Sequence, residues 1–448
     1  MIENNYKEFL GGKKKPFGEF GFHANHIPDS CYPFQRDLIA WSVKKGRCGL
    51  FADCGLGKTL MQLAWADNVV RTTNKRVLIL TPLAVSHQTV AESEKFGIET
   101  SRSDQGELNS KIVVTNYERL HHFNPDDFIG VVCDESSILK NFAGTRRAEI
   151  TEFMSHHKYR LLCTATAAPN DFIELGTSSE ALGVMDRRHM MAQFFNHDGG
   201  DTSKWRLKGH STNDFWRWVC SWSRAIRKPS DMGYDDEGFN LPEMGVRQHI
   251  VDAKSKNPDY LFEMPAVGLA EQRAERSRTI AERCGMAAEI TIASKDPVIC
   301  WVHLNSEGDK LEKMIPGAVQ VSGKDSDESK EEKFRAFEAG EIRVMVTKPS
   351  IAGFGLNWQH CAHQTFFPSH SFEQYYQAVR RSWRFGQKKN VMIDIITTEG
   401  EQRVMSNLNR KSVASEKMFS ELVKFMSDEL KIEKKQSETK TETIPSWL

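Results

Sequence analysis

Three absences narrow the field before any motif is read. The 448-residue chain has no net charge, because 60 lysines and arginines face 60 aspartates and glutamates. Global charge therefore points to no polyanionic partner, and any nucleic-acid surface must be a local patch. Nine cysteines occur without a single C-x-x-C pair, which removes both a zinc framework and an obvious disulfide scaffold. Cys54, Cys133 and Cys163 lie in apolar or loop stretches and read as free intracellular thiols. No apolar run approaches a membrane span, the N-terminus has no charged-then-apolar secretory pattern, and no repeat of solenoid period is found. A soluble, cytoplasmic protein with no membrane partner is expected. At ~150 residues per domain, it has room for two or three domains.

What is present centres on residues 52–59, Ala-Asp-Cys-Gly-Leu-Gly-Lys-Thr. Gly55 and Gly57, flanking Leu56, remove side chains where a backbone must curl around an anion. Lys58 supplies a point charge for the β- and γ-phosphates of a nucleotide, and the Thr59 hydroxyl is a ligand for Mg²⁺. The loop runs into a helical pattern (Leu60 to Ala66) whose first amides add positive potential. Ala52 stands where a phosphate loop usually begins with glycine. Upstream, Tyr32-Pro33-Phe34-Gln35 opens a helical pattern, and the Gln35 amide has the donor and acceptor needed to read an adenine edge. The bland alternative for Gln35 is a surface side chain.

Short apolar strands then alternate with helical segments. Val77–Leu80 runs into Thr81-Pro82, Lys111–Val114 into Thr115-Asn116-Tyr117, Phe128–Cys133 into Asp134-Glu135, and Tyr159–Cys163 into Thr164-Ala165-Thr166. Unbroken apolar strands separated by helices predict a buried parallel sheet, whose ligands bind beyond the carboxyl ends of the strands. Every polar cluster here falls at such an end. Asp134 is placed to hold Mg²⁺ and Glu135 to polarise an attacking water. An acidic helix start is the competing explanation.

The pattern breaks over residues 186–267, read as a small tryptophan-rich insertion and linker. It holds Trp205, Trp216, Trp218 and Trp222, then the basic run Arg224, Arg227, Lys228. The tryptophans four apart read as packing, and the basic residues as nucleic-acid contacts. A helical segment from Leu269 to Ile292 leads to a second set of strands at 297–302, 319–321, 344–346 and 391–395. This second sheet lacks a phosphate loop but carries Gly353-Phe-Gly355-Leu-Asn357 and a helical stretch from Gln377 to Gln387. Arg381 and Arg384, three apart on one helix face, can reach one anion. Solvated side chains or DNA-phosphate contacts remain open alternatives for them. A last amphipathic helix (Val413 to Leu430) gives way to Lys431–Thr443, too poor in apolar residues to stay ordered. The tip Ile444–Leu448 is a docking element for this protein or a partner, or an inert tail.

Taken together, Gln35, the loop 52–59, Thr115–Tyr117, Asp134–Ser137, Thr164–Thr166, the stretch 347–358 and the arginine stretch 377–387 resemble superfamily-2 helicases. Gly-Leu-Gly-Lys-Thr, Leu139-Lys140-Asn141, Gly-Phe-Gly-Leu-Asn and Arg-Phe-Gly-Gln look like the Swi/Snf branch, in a form similar to short phage-encoded helicases. The resemblance implies an α/β protein of two RecA-like parallel-sheet lobes with ATP in the cleft between them. The boundaries expected are a lead-in to residue 30, lobe one over 31–185, the insertion over 186–267, lobe two over 268–408, and a helix with flexible tail over 409–448. In that family Gln35 contacts adenine, the loop and Lys58 the phosphates, and Thr59 and Asp134 the Mg²⁺. Glu135 activates water, Gly355 and Gln377 line the cleft, and Arg381 and Arg384 act as arginine fingers. Thr81, Pro82 and Thr115–Tyr117 lie among the nucleic-acid contacts. The implied activity is a monomeric ATP-driven motor on duplex DNA. The alternatives are a strand-separating helicase on DNA or RNA and an ATP-dependent binding switch. Two more departures stand out: Ser137 where the family has His or Asp, and Thr164-Ala165-Thr166, which is closer to strand-separating helicases.

Overall fold

The computed structural model describes residues 18–140, 144–198, 201–252, 269–353 and 356–441. The chain divides into two compact units, Met1–Asp235 with Ser415–Leu448, and Asp236–Ala414.

The first unit is built on a seven-stranded sheet. Its strands are β1 (Arg47–Ala52), β2 (Arg76–Thr81), β3 (Ser101–Arg102), β4 (Ile112–Asn116), β5 (Phe128–Asp134), β6 (Tyr159–Cys163) and, after a short antiparallel hairpin of β7 (Phe195–Asp198) and β8 (Asp201–Leu207), β9 (Ser223–Ile226). They lie in the order β3-β4-β2-β5-β6-β1-β9, and every pairing is parallel. Runs such as Val77-Leu-Ile-Leu and Val131-Val-Cys are buried along their whole length. Covering both faces is what a parallel sheet requires, and such runs can supply it. Helix α1 (Pro33–Lys45) starts with proline, whose missing amide proton costs nothing there, and ends on Gly46 at φ 72°. A side chain at Gly46 would strike the backbone of Phe20 and Gly21, so only glycine closes this turn. Helix α2 (Lys58–Thr73) follows the phosphate-type loop directly.

The second unit holds β10 (Met244–Val251), β11 (Val298–Trp301), β12 (Ala318–Val321), β13 (Val344–Thr347), β14 (His363–Phe366) and β15 (Val391–Thr398). The order is β10-β15-β14-β11-β13-β12, again parallel throughout. The architecture is therefore α/β with two parallel sheets. Among the described residues no helix is long and apolar enough to cross a membrane. All nine cysteines are buried thiols outside any disulfide.

Four expectations change. The stretch 186–267 is not one insertion: β9 is an edge strand of the first sheet and β10 of the second. Trp216 and Trp222 are fully buried in the first core, with Trp205 and Trp218 packed against it. Trp218 and Trp222 stack edge to face at 5.6 Å although the helix itself stops at Cys220. The helix predicted from Leu269 to Ile292 is two, Leu269–Arg278 and Ile280–Ala293. At the join, the Thr279 hydroxyl donates back to the Glu275 carbonyl at 2.8 Å, a bond that competes with the helical ladder.

The helix carrying Gln377 ends at Val379, so Arg381 and Arg384 sit in the turns beyond it rather than on a shared helix face. Those turns place Arg380 among the rings of Tyr376, Trp383 and Phe385, 5.1–5.7 Å from each centroid. Finally, the last helix is Gln402–Thr441 and includes most of the segment predicted to be disordered. That segment has Ile432 as its one apolar residue but is rich in Lys and Glu, which favour helix. The tip Ile444–Leu448 lies outside the described residues.

Candidate active site

The glycine loop has the backbone its sequence requires. Gly55 and Gly57 adopt φ 87° and 79°, values closed to most side chains, and Gly57 caps α2. A Cβ on Gly57 would lie 2.4 Å from the Gln35 Nε2. The contact shows what Gln35 does: its Nε2 donates to the Leu56 carbonyl at 2.9 Å, and its Oε1 accepts from the Tyr32 amide at 2.9 Å. Gln35 is buried and braces the loop from α1. The Lys58 Nζ folds back onto the loop, 3.0 Å from the Ala52 carbonyl oxygen and 3.4 Å from that of Asp53.

Asp134 and Glu135 close β5 and are both buried. One strand, β6, separates β5 from β1 in the sheet, so the acidic pair and the glycine loop rise from the same sheet edge. Gln62, one turn into α2, ties them: its Nε2 donates to Asp134 Oδ1 at 2.6 Å. Burial, then the neighbouring Glu135 charge, push the Asp134 carboxyl up to about 7, against the opposing Gln62 hydrogen bond and Lys58 charge. Glu135 sits at φ 49°, a left-handed conformation that costs on the order of 1–3 kcal/mol for a non-glycine residue. Two bonds pin the strained unit. The Tyr117 hydroxyl donates to the Asp134 carbonyl at 2.5 Å, and the Thr164 hydroxyl donates to Glu135 Oε2 at 3.3 Å. Thr164 thus touches the Glu135 carboxylate, and Tyr117 holds the Asp134 main chain.

The remaining expected positions divide by burial. Thr81, Thr115, Asn116 and Tyr117 are buried at the strand ends, while Pro82 is half-buried. Neither amide atom of Asn116 has a hydrogen-bond partner. Arg224 corrects its assignment as a surface contact. It is buried, donates to the Cys220 carbonyl at 2.6 Å, and lies 4.4 Å over the Trp41 ring. An arginine alternating with apolar residues on an edge strand is drawn inward by that stacking. Lys228 is exposed, and Arg227 is held near Asp231.

In the second unit, Gln377 is buried with both amide atoms lacking a hydrogen-bond partner. Arg381 and Arg384 converge without the helix, since each donates through Nη1 to the Leu356 carbonyl, at 3.0 and 3.3 Å. Gly355 lies outside the described residues.

The chain is similar to a solved Sulfolobus solfataricus SWI2/SNF2 ATPase core in complex with dsDNA, at 16% identity and a TM-score of 0.42, over 91% of this chain and 96% of that one. No family model matches, and no curated protein matches. A likeness that distant assigns no role to any residue.

Gln62 is what the sequence reading missed. A lone glutamine in a helix carries no signal of its own, but its place three residues after Thr59 puts both on one helix face. The oxygen ligands on hand, Thr59 and Asp134, suit Mg²⁺. The Gln62 Oε1, buried and without a hydrogen-bond partner, is a further acceptor fitting a hydrated cation.

Proposed function

We propose that this chain is an ATP-driven, nucleic-acid-stimulated motor of Swi/Snf-like type, with duplex DNA as its track. The observation that carries the reading is the 2.6 Å bond from Gln62 to Asp134. It joins the helix that follows a glycine-rich, lysine-bearing loop to a buried acidic pair, and those are the parts phosphoanhydride hydrolysis needs. ATP is the substrate. Backbone amides of Gly55–Lys58 cradle its phosphates, and Lys58 leaves its two loop carbonyls to pair with them. Thr59 and Asp134 would hold Mg²⁺, which would supply screening of the phosphate charge. Glu135 accepts a proton from the attacking water, its carboxylate oriented by Thr164. The reading gives Gln35 the task of keeping the loop open beside the adenine, and Arg381 and Arg384 that of stabilising charge on the phosphoryl group in transfer. Their convergence on one oxygen acceptor supports that assignment. Asn116, Pro82 and Lys228 are the proposed contacts to the track.

The test is ATP hydrolysis measured alone, with single-stranded DNA, with duplex DNA and with RNA, using Lys58→Ala as the blank. Duplex-specific stimulation, with turnover in the blank reduced about 10²–10³-fold, is expected. Stimulation by single strands instead would make the protein a strand-separating helicase. Turnover that none of these alters would leave an ATP-dependent binding switch. Full activity in Lys58→Ala would place the chemistry elsewhere.

A further inference from the structure

Gln62 is 1% exposed, in the first turns of α2. Its Nε2 donates to Asp134 Oδ1 at 2.6 Å, which turns the amide oxygen the other way. The donor side of the group is thereby engaged, while its carbonyl oxygen is buried with no hydrogen-bond partner among the described residues. An orphaned buried carbonyl is costly. A buried glutamine kept for packing alone would lower the energy by becoming leucine or methionine.

The cost makes sense if a donor arrives with the substrate. Mg²⁺ dehydrates reluctantly and keeps several of its waters, which donate strongly to nearby oxygens. Gln62 shares a helix face with Thr59 and touches Asp134, the two side chains assigned to the cation. Resting on the nucleotide-site reading, we infer that Gln62 is a positioning residue for Mg²⁺. Its N–H fixes the Asp134 carboxylate, and its buried Oε1 accepts a hydrogen bond from a water of the cation's shell. Gln62 does not touch the reacting atoms. It acts by making the loop's helix and the acidic strand end into one metal-orienting unit, and outer-shell groups of this kind set metal affinity about 10- to 100-fold.

The experiment is equilibrium binding of a fluorescent ADP analogue to the full chain across a Mg²⁺ titration, with melting temperatures recorded without nucleotide. Gln62→Leu and Gln62→Met are compared with the unaltered protein. The expected result is a Mg²⁺ midpoint raised about 10- to 100-fold in both variants. Binding in EDTA should be unchanged and the ligand-free melting temperature little changed, because removal of the orphaned carbonyl offsets loss of the Asp134 hydrogen bond. A Mg²⁺ midpoint unmoved in folded variants overturns the inference and leaves the nucleotide site intact. Variants that melt far lower, with EDTA binding lost as well, make Gln62 a structural strut and overturn it too. An unaltered protein that binds no ADP, or binds it without regard to Mg²⁺, overturns the nucleotide-site reading and the inference with it.

Discussion

At the scale of single residues, the energetics of the acidic pair run against the stability of the ligand-free protein. Asp134 holds its proton up to about 7 in the folded chain, against an ordinary value of 3.8. A folded-state value above the unfolded one means that the native state binds the proton more tightly between those limits. This contribution is complete below pH 3.8 and is lost as pH rises toward 7, by at most roughly 1.4 kcal/mol per pH unit. Asp134→Asn, which has no charge to bury, should therefore gain stability relative to the parent as pH rises from 4 to 7. Urea unfolding at several pH values, without Mg²⁺ or nucleotide, checks the sign. A difference that stays flat with pH would show that the carboxylate is ionised throughout.

Legibility at this scale followed chemical specificity. Two glycines one residue apart mark a sharply curled backbone, so the left-handed turns at Gly55 and Gly57 could be read from the chain. A buried arginine stacked on Trp41 and a glutamine bracing a loop look, in sequence, like surface residues. Arg224 and Gln35 take their roles from partners 183 and 21 positions away.

Among elements, strands announced themselves where they were apolar on both faces. The central strands β2, β5 and β6 could be read this way. β9, Ser-Arg-Ala-Ile, and β10, with exposed Val246 and Ile250, could not, because an edge strand needs little hydrophobic patterning to pair. The tryptophan-rich segment was ambiguous for the same reason: rings that pack and rings that stack on bases share a composition. The structure puts Trp222 at 0% exposure, against Phe51 at 6.0 Å and Trp218 at 5.6 Å. Trp222→Ala should then cost about 3–5 kcal/mol by leaving a cavity at the sheet edge. The shift of the denaturation midpoint measures it. A loss under about 1 kcal/mol would mean that the site collapses freely and the rings are not core.

For the whole molecule, the chain enters the second unit at Asp236 and returns to the first at Ser415, within a single helix, Gln402–Thr441. Its buried residues Met418, Phe419, Leu422, Phe425 and Met426 belong to the same core as Phe215, Trp216 and Trp222, and the Leu422 carbonyl accepts from the Cys220 thiol at 3.6 Å. A chain cut after Ala414 would lose all five of those side chains from one core. It is expected to lose cooperative melting of the first unit, or to aggregate, while the second sheet keeps its strands. Unchanged melting of the shortened protein would show that the helix only rests on the surface. Helical periodicity made this helix readable from sequence, but the unit it completes was not, because nothing in its residues names a partner two hundred positions earlier.

That return sets the order of events during synthesis. Domains ordinarily fold as units, the earliest first, as the ribosome elongates the chain. Here the first unit has core residues, Met418 to Met426, that are translated well after the rest of it. Until those residues are made, Trp216, Trp222 and their neighbours lack part of their cover.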